Sequence, residues 1–240
     1  MKLYFASVFV YLLLVFPSWS QTNPHRILVF SKTQGFYHKS IPLGIAAFQK
    51  LGVENKFLVD TTKNSISFEA ENLKKYNAVI FLSTTGDVLN DQQQKAFEGY
   101  IQGGGGYVGI HAAADTEYSW PWYNQLVGAY FLSHPKTQRA TILVLDKEHP
   151  ATKMLPDKWT RVDEWYNYKD IASGLHVLCK LDETSYEGGK NGENHPFVWY
   201  HDFDGGRAFY TGAGHTDESY TDPLFLKHIL GGIKYAMGEK

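Results

Sequence analysis

The sequence predicts an α/β sandwich built on a mostly parallel central sheet. Two observations carry this. Short apolar runs alternate with segments of helical spacing throughout the first half of the chain. Three apolar runs are each followed closely by a histidine: residues 26–31 by His38, Gly106–Ile110 by His111, and residues 207–211 by His215. In an open α/β sheet, ligands bind beyond the carboxyl ends of the strands, so polar residues placed there have a functional meaning.

Residues 26–31 form a short apolar run without period, the pattern of a buried strand. Gly35 marks a loop, and Ser40 reads as a helix N-cap with Pro42 in the first turn. Ile41, Ile45, Phe48 and Leu51 keep helical spacing, and Gly52 is the expected stop. Residues 53–59 read as a second strand, 68–76 as a weak helix, and Ala78–Leu82 as a third strand. Polar Ser83-Thr84-Thr85-Gly86 follows. Asn90 or Asp91 caps the next helix, whose inner face carries Phe97 and Ile101. Glycines 103–106 break it, and Gly106–Ile110 is a fourth strand. The second half is richer in strands, at 140–145, 176–181, 197–201 and 207–211. The turn Asp204-Gly205-Gly206 joins the last two as a hairpin. A closing helix starts with Asp222 as cap and Pro223 at its first position, and carries Leu226, Ile229, Leu230 and Ile233.

Lys2 precedes an apolar run over residues 3–16, then Pro17 and Ser18-Trp19-Ser20. That is the layout of a signal peptide over residues 1–20. The run is shorter than the roughly 20 residues a membrane helix needs. The expectation is export to the periplasm or medium, without stable membrane insertion. Residues 21–240 then suit a single domain that buries its own core. Cys179 is the only cysteine, so no intrachain disulfide forms. A net charge of −2 with interspersed signs argues against a nucleic-acid partner. Aromatics reach 15 %, enough to fill a core and still offer flat faces to a sugar ring.

His111 sits where a strand meets a sharp turn, in Gly109-Ile110-His111-Ala112-Ala113. No Ser or Cys holds that place, which argues against covalent acyl chemistry. Cys179 lies in an apolar run and reads as packing. His215 follows Gly212-Ala213-Gly214, small residues that admit a close ligand. His38 follows Phe36 and Tyr37. Converging imidazoles bind a divalent metal, zinc before others, or move protons. Asp163-Glu164-Trp165-Tyr166 adds an acid against aromatic surface, a proton carrier or metal ligand. His201 ends a strand and is a lesser candidate. His134 and His149 precede prolines and read as loop residues; His228 reads as structural. The glycines at 103–106 precede a strand and lack a phosphate-binding lysine, so no nucleotide is expected.

These motifs resemble the trehalose-utilisation family, the ThuA-like proteins. The landmarks are Thr33-Gln-Gly-Phe-Tyr-His38-Lys-Ser-Ile41, the stretch from Gly103 to His111, Asp163-Glu-Trp-Tyr166, Trp199-Tyr-His201, the stretch from Gly206 to His215, and Asp222-Pro223. The resemblance implies a flavodoxin-like sandwich similar to class I glutamine amidotransferases. It implies a role in disaccharide or glycoside breakdown, including 3-keto-glycosides made by a partner sugar oxidoreductase. It marks His38, His111, Glu164 and His215 as site residues. Where members nearer the founding type carry further histidines after the third strand, this chain has Ser83-Thr84-Thr85-Gly86.

The leading expectation is thus an exported enzyme acting on a glycoside or keto-glycoside. His38, His111 and His215 hold the metal; His111, Glu164 and His215 carry catalysis. Phe36, Tyr37, Trp165, Tyr166 and His201 contact a small sugar ligand. The alternative is a non-catalytic carbohydrate-binding module using the same crevice.

Overall fold

The computed structural model describes Met1 and residues 24–239. The expected signal peptide lies, apart from Met1, outside the described residues. Among these residues no helix is long and apolar enough to cross a membrane.

The main strands are β1 (Arg26–Phe30), β2 (Leu58–Thr62), β3 (Ala78–Leu82), β4 (Gly106–Ile110), β6 (Gln138–Val144), β7 (Lys158–Asp163), β9 (His176–Asp182), β10 (Pro196–Phe203) and β11 (Gly206–Thr211). They form a nine-stranded sheet in the order β2-β1-β3-β4-β11-β10-β9-β6-β7. The strands from β2 to β11 pair in parallel. The remaining pairs, β11-β10-β9-β6-β7, are antiparallel. A separate ribbon joins β5 (Tyr130–Ser133) to β8 (Asn167–Lys169). Four reversals follow β11, so β7 again runs in the direction of β4 and β11. The strands preceding His38, His111, Glu164 and His215 therefore end at one edge.

Helices α1 (Ile41–Asn55) and α5 (Pro223–Met237) cover one face, packing on Ile27, Val29, Ile80, Val108 and Phe209. Helices α3 (Asp91–Gln102) and α4 (Pro121–Val127) cover the other, over Leu28, Val79, Phe81 and Tyr107. The alternation along β1 and β3 is the period of two that places neighbours on opposite faces. The far strand β7 also touches α5, with Trp159 against His228 and Arg161 over Phe225. The sheet thus bends about this helix and returns the end of β7 to the edge where β4 and β11 finish.

Four local expectations need correction. Gly52 does not stop α1; the helix runs on to Asn55 and ends at Lys56, in the left-handed region at φ 62°. Gly52 is there because a Cβ would meet Val59 at 2.6 Å and the Phe57 carbonyl at 2.8 Å, a close helix–strand approach. The second strand accordingly lies at Leu58–Thr62, later than predicted. Ser40 makes no side-chain cap; its hydroxyl instead donates to the Gly214 carbonyl at 3.4 Å. The weak helix shrinks to α2 (Ala70–Leu73). Asn90 and Gln93 form a full capping box on α3, and Asp222 caps α5 through the Leu224 N–H.

Candidate metal and active site

His111 is the first residue beyond β4 and has φ 50°, a left-handed conformation costly for a residue with a Cβ. Two bonds hold it there. Its carbonyl accepts the Tyr210 hydroxyl at 2.8 Å. Its Nδ1–H donates to the Gly212 carbonyl at 2.9 Å. That second bond fixes the tautomer and turns the Nε2 lone pair away, as outer partners of metal-bound histidines do.

Nε2 of His111 faces two other groups. Nδ1 of His215 is 3.2 Å away and Oε2 of Glu164 is 3.3 Å away. His215 Nδ1 and Glu164 Oε2 are themselves 3.3 Å apart. The His38 ring completes the group, 4.9 Å from the His111 ring and 5.3 Å from that of His215. One ligand atom from each of His38, His111, Glu164 and His215 lies within 4.8 Å of all the others. His38 and Glu164 are buried and His111 is fully so; the His215 side chain keeps 23 % exposure.

The charges in this cluster are set by burial and by its one acid. Burial, with His111 and His215 close by, pushes His38 down to about 2, so its ring is neutral at pH 7. Burial alone would raise the Glu164 carboxyl. The imidazoles of His111 and His215 against its oxygens outweigh it and hold Glu164 well below the usual carboxylate range. Burial would lower His215, but the bond to Glu164 and its charge raise it instead. A metal takes imidazole in its neutral form and carboxylate in its ionised form, so its binding would displace the proton that Glu164 favours on His215.

Sequence reasoning missed His134. It follows β5 directly, and its Nδ1 is 3.1 Å from the second carboxylate oxygen of Glu164. Its side chain is 42 % exposed, so it stands between the buried acid and solvent. A four-residue strand has too few positions to show a period, and the following proline made His134 look like an ordinary loop residue. Asp163 was also passed over in favour of its neighbour. It is fully buried and accepts the N–H groups of Glu164, Gly214 and His215.

Phe36 and Tyr37 are exposed on the His38 loop, at 65 % and 51 %. The Phe36 ring meets that of His38 edge-on at 4.9 Å. Tyr166 is buried against the site, its ring 4.3 Å from that of His111. Two expected sugar contacts lie elsewhere. Trp165 is fully buried in the core, where its indole donates to the Gln138 carbonyl and packs on Phe197. His201 is on β10, which runs opposite to β11, so its end of the strand is at the other edge of the sheet. There its Nε2–H donates to the Gln125 carbonyl at 3.0 Å. Cys179 is buried within β9, and burial pushes its thiol up to about 12, which removes it as a nucleophile.

The ThuA family, described as trehalose utilisation, matches residues 26–236. A ThuA-like protein from Bacteroides uniformis superposes with a TM-score of 0.76 at 25 % identity, covering 92 % of this chain and 95 % of that one. One from Parabacteroides merdae gives 0.75 at 21 % identity, covering 90 % and 91 %. A GMP synthase component from Thermoplasma acidophilum gives 0.56 at 10 % identity, covering 90 % and 96 %, a likeness of fold alone. No curated protein matches the chain. From the start of β1 to near the end of α5, the chain belongs to the ThuA family and has the glutamine amidotransferase-like fold.

Proposed function

We propose that this chain is an exported enzyme of disaccharide and glycoside catabolism that uses a divalent metal, zinc before others, at the histidine cluster. The observation that carries the reading is the mutual spacing of three donor atoms. Ligands about 2.1 Å from a shared tetrahedral centre lie about 3.4 Å from one another. His111 Nε2, His215 Nδ1 and Glu164 Oε2 are separated by 3.2, 3.3 and 3.3 Å. Two further features fit a metal. His38 Nδ1 is buried without a hydrogen-bond partner, and the His111 tautomer is fixed from behind by Gly212. Three imidazoles and a carboxylate are an ordinary zinc donor set.

His38, His111, His215 and Glu164 would hold the ion. When bound, it supplies Lewis acidity toward a carbonyl or a water. His134 lies against Glu164 at the solvent side and is placed to pass protons between the site and water. Phe36 and Tyr37 offer apolar faces to the CH-rich side of a sugar ring. A glycoside or 3-keto-glycoside supplies both a ring to stack and, in the keto form, a carbonyl to polarise. A partner sugar oxidoreductase would be the source of the keto form.

The test is metal analysis of the purified mature protein, followed by turnover of a 3-keto-glycoside before and after chelation. One equivalent of metal and chelator-sensitive turnover support the reading. Sugar binding with neither metal nor turnover would instead make this a carbohydrate-binding module.

A further inference from the structure

Four loops from distant parts of the chain carry the cluster, and one carboxylate ties two of them together. Asp163 Oδ1 accepts the N–H of Glu164 at 3.0 Å and of His215 at 3.1 Å. Its Oδ2 accepts the N–H of Gly214 at 3.1 Å and faces Arg161 at 3.3 Å and the Ser219 hydroxyl at 3.5 Å. The carbonyl of the same Gly214 accepts Ser40, from the His38 loop, at 3.4 Å and Tyr220 at 3.1 Å. Two residues earlier, the Gly212 carbonyl takes His111 Nδ1–H. Gly214 has φ 118°, a conformation that suits glycine, so this crossing point is built for its place.

We propose that Asp163 is the positioning residue of the metal site, holding Glu164 and His215 at ligand distance through their main chains. The proposal rests on the reading of the cluster as a metal centre. Bonds from N–H groups to an ionised carboxylate are stronger than neutral ones, and here they work in a buried setting. The Asp163 carboxylate bonds the main chain of Glu164, Gly214 and His215 rather than a ligand side chain. It fixes the two backbones from which Glu164 and His215 project. Through the Gly214 peptide it also sets the seat of the His38 loop. Arg161 is the balancing charge, buried between Asp163 and Asp222.

Asp163→Asn is the direct test. It keeps the volume but replaces one acceptor oxygen with a donor, which opposes the N–H groups of Glu164 and His215 if it takes the place of Oδ1, or that of Gly214 if it takes the place of Oδ2. Asp222→Asn is the control. It removes a carboxylate charge beside the same Arg161 and keeps an oxygen to cap α5, but its side chain bonds the Leu224 N–H and faces Arg161, not the main chain of Glu164, Gly214 or His215. Co²⁺ is titrated into each metal-free protein, following its visible ligand-field absorption, with thermal unfolding measured in parallel. The proposal expects wild type and Asp222→Asn to give the same spectrum and affinity. It expects Asp163→Asn to bind about 10- to 100-fold more weakly, the usual cost of losing an outer partner, with an altered spectrum. An Asp163→Asn protein with wild-type affinity and spectrum overturns the proposal. So does an equal loss of binding in both variants that tracks their loss of stability. If Asp163→Asn fails to fold, the double variant Arg161→Gln with Asp163→Asn removes the uncompensated charge and is read by the same criteria. Wild type that takes up neither Co²⁺ nor Zn²⁺ would overturn the metal reading itself, a result distinct from a failure confined to Asp163.

Discussion

Two buried histidine–carboxylate groups in this molecule use the same chemistry and finish differently. At His195, every polar atom of the ring is answered by protein. Nδ1 is 2.8 Å from Glu183 Oε1, and Nε2–H donates to the Tyr166 carbonyl at 2.8 Å. The same Glu183 oxygen also accepts the N–H groups of Asn191 and Gly192. This pair closes a loop and leaves nothing over. At the sheet edge, three imidazoles and Glu164 face a common point, and His38 Nδ1 is buried with no partner. His111 also sits in a strained backbone conformation. A buried polar atom left unanswered costs about 1–3 kcal/mol. What sets the edge cluster apart is convergence: one ligand atom from each of three imidazoles and a carboxylate lies within 4.8 Å of the others.

The strongest way to break this comparison is His111→Ala. It removes a donor atom from the centre of the open cluster. Loss of an outer partner alone costs about 10- to 100-fold in metal affinity, and loss of a ligand should exceed that, on the order of 1000-fold. Isothermal titration of Zn²⁺ into the metal-free variant measures it. Wild-type affinity in a folded His111→Ala protein would show that the cluster is as closed as the His195 pair.

The second prediction concerns His228, another closed case. Its Nδ1–H donates to the Ala151 carbonyl, and its Nε2 takes the Thr211 hydroxyl. Burial pushes its pKa down to about 4 from 6.5. The unfolded chain therefore binds a proton between pH 6.5 and 4 that the folded chain refuses. Stability is complete above pH 6.5 and falls as the pH drops toward 4, by up to about 3 kcal/mol at about 1.4 kcal/mol per unit. Urea unfolding at pH 7 and 4.5 should show the fall in wild type and a smaller one in His228→Gln. Equal falls in both proteins would assign the acid sensitivity to other groups.

Much of this was legible in the sequence, and the part that was not has a physical cause. The parallel half was readable because β1, β3 and β4 are buried on both faces and stand out as apolar runs. Three of the cluster's residues, His38, His111 and His215, are at strand ends that period and apolarity locate. The direction of a strand in the antiparallel half is another matter. It depends on counting reversals, and β7, β5 and β8 were not visible as strands. That hid His134 behind β5, whereas His201 was open to exclusion, since the hairpin at Asp204-Gly205-Gly206 already sets its strand against β11. Trp165 fails for a simpler reason. It neighbours Glu164, and successive residues in extended chain point to opposite sides. Ser40 has the residue type and place of a helix cap, yet its hydroxyl serves Gly214, a partner 174 residues away that no local pattern signals.

His195→Ala sharpens the comparison from the closed side. It should lower stability by about 1–3 kcal/mol, because the Tyr166 carbonyl and Glu183 lose their buried partner. Metal stoichiometry should stay at the wild-type value, since no atom of the cluster belongs to this ring. Chemical denaturation paired with metal analysis separates the two effects. Loss of metal with little loss of stability would mean that the His195 pair is part of the site.

The smallest effect should come from Phe36→Ala. The Phe36 ring is 65 % exposed, so it contributes little to the core. Its main-chain carbonyl accepts the Thr85 hydroxyl, and that hydroxyl in turn accepts the Gly35 N–H; both bonds survive removal of the ring. The loop carrying His38 should therefore keep its place, with metal affinity unchanged. What is lost is one flat apolar face at the mouth of the site. A single aromatic contact is worth about 0.5–1.5 kcal/mol, which predicts a weakening of sugar binding by roughly tenfold or less. The loss should fall on KM and spare kcat, because the ring would hold ground state and transition state alike. Steady-state kinetics on the keto-glycoside gives both numbers. A drop in kcat at unchanged KM would move Phe36 from the rim into the chemistry, and would mean that the open cluster extends further along the His38 loop than its donor atoms do.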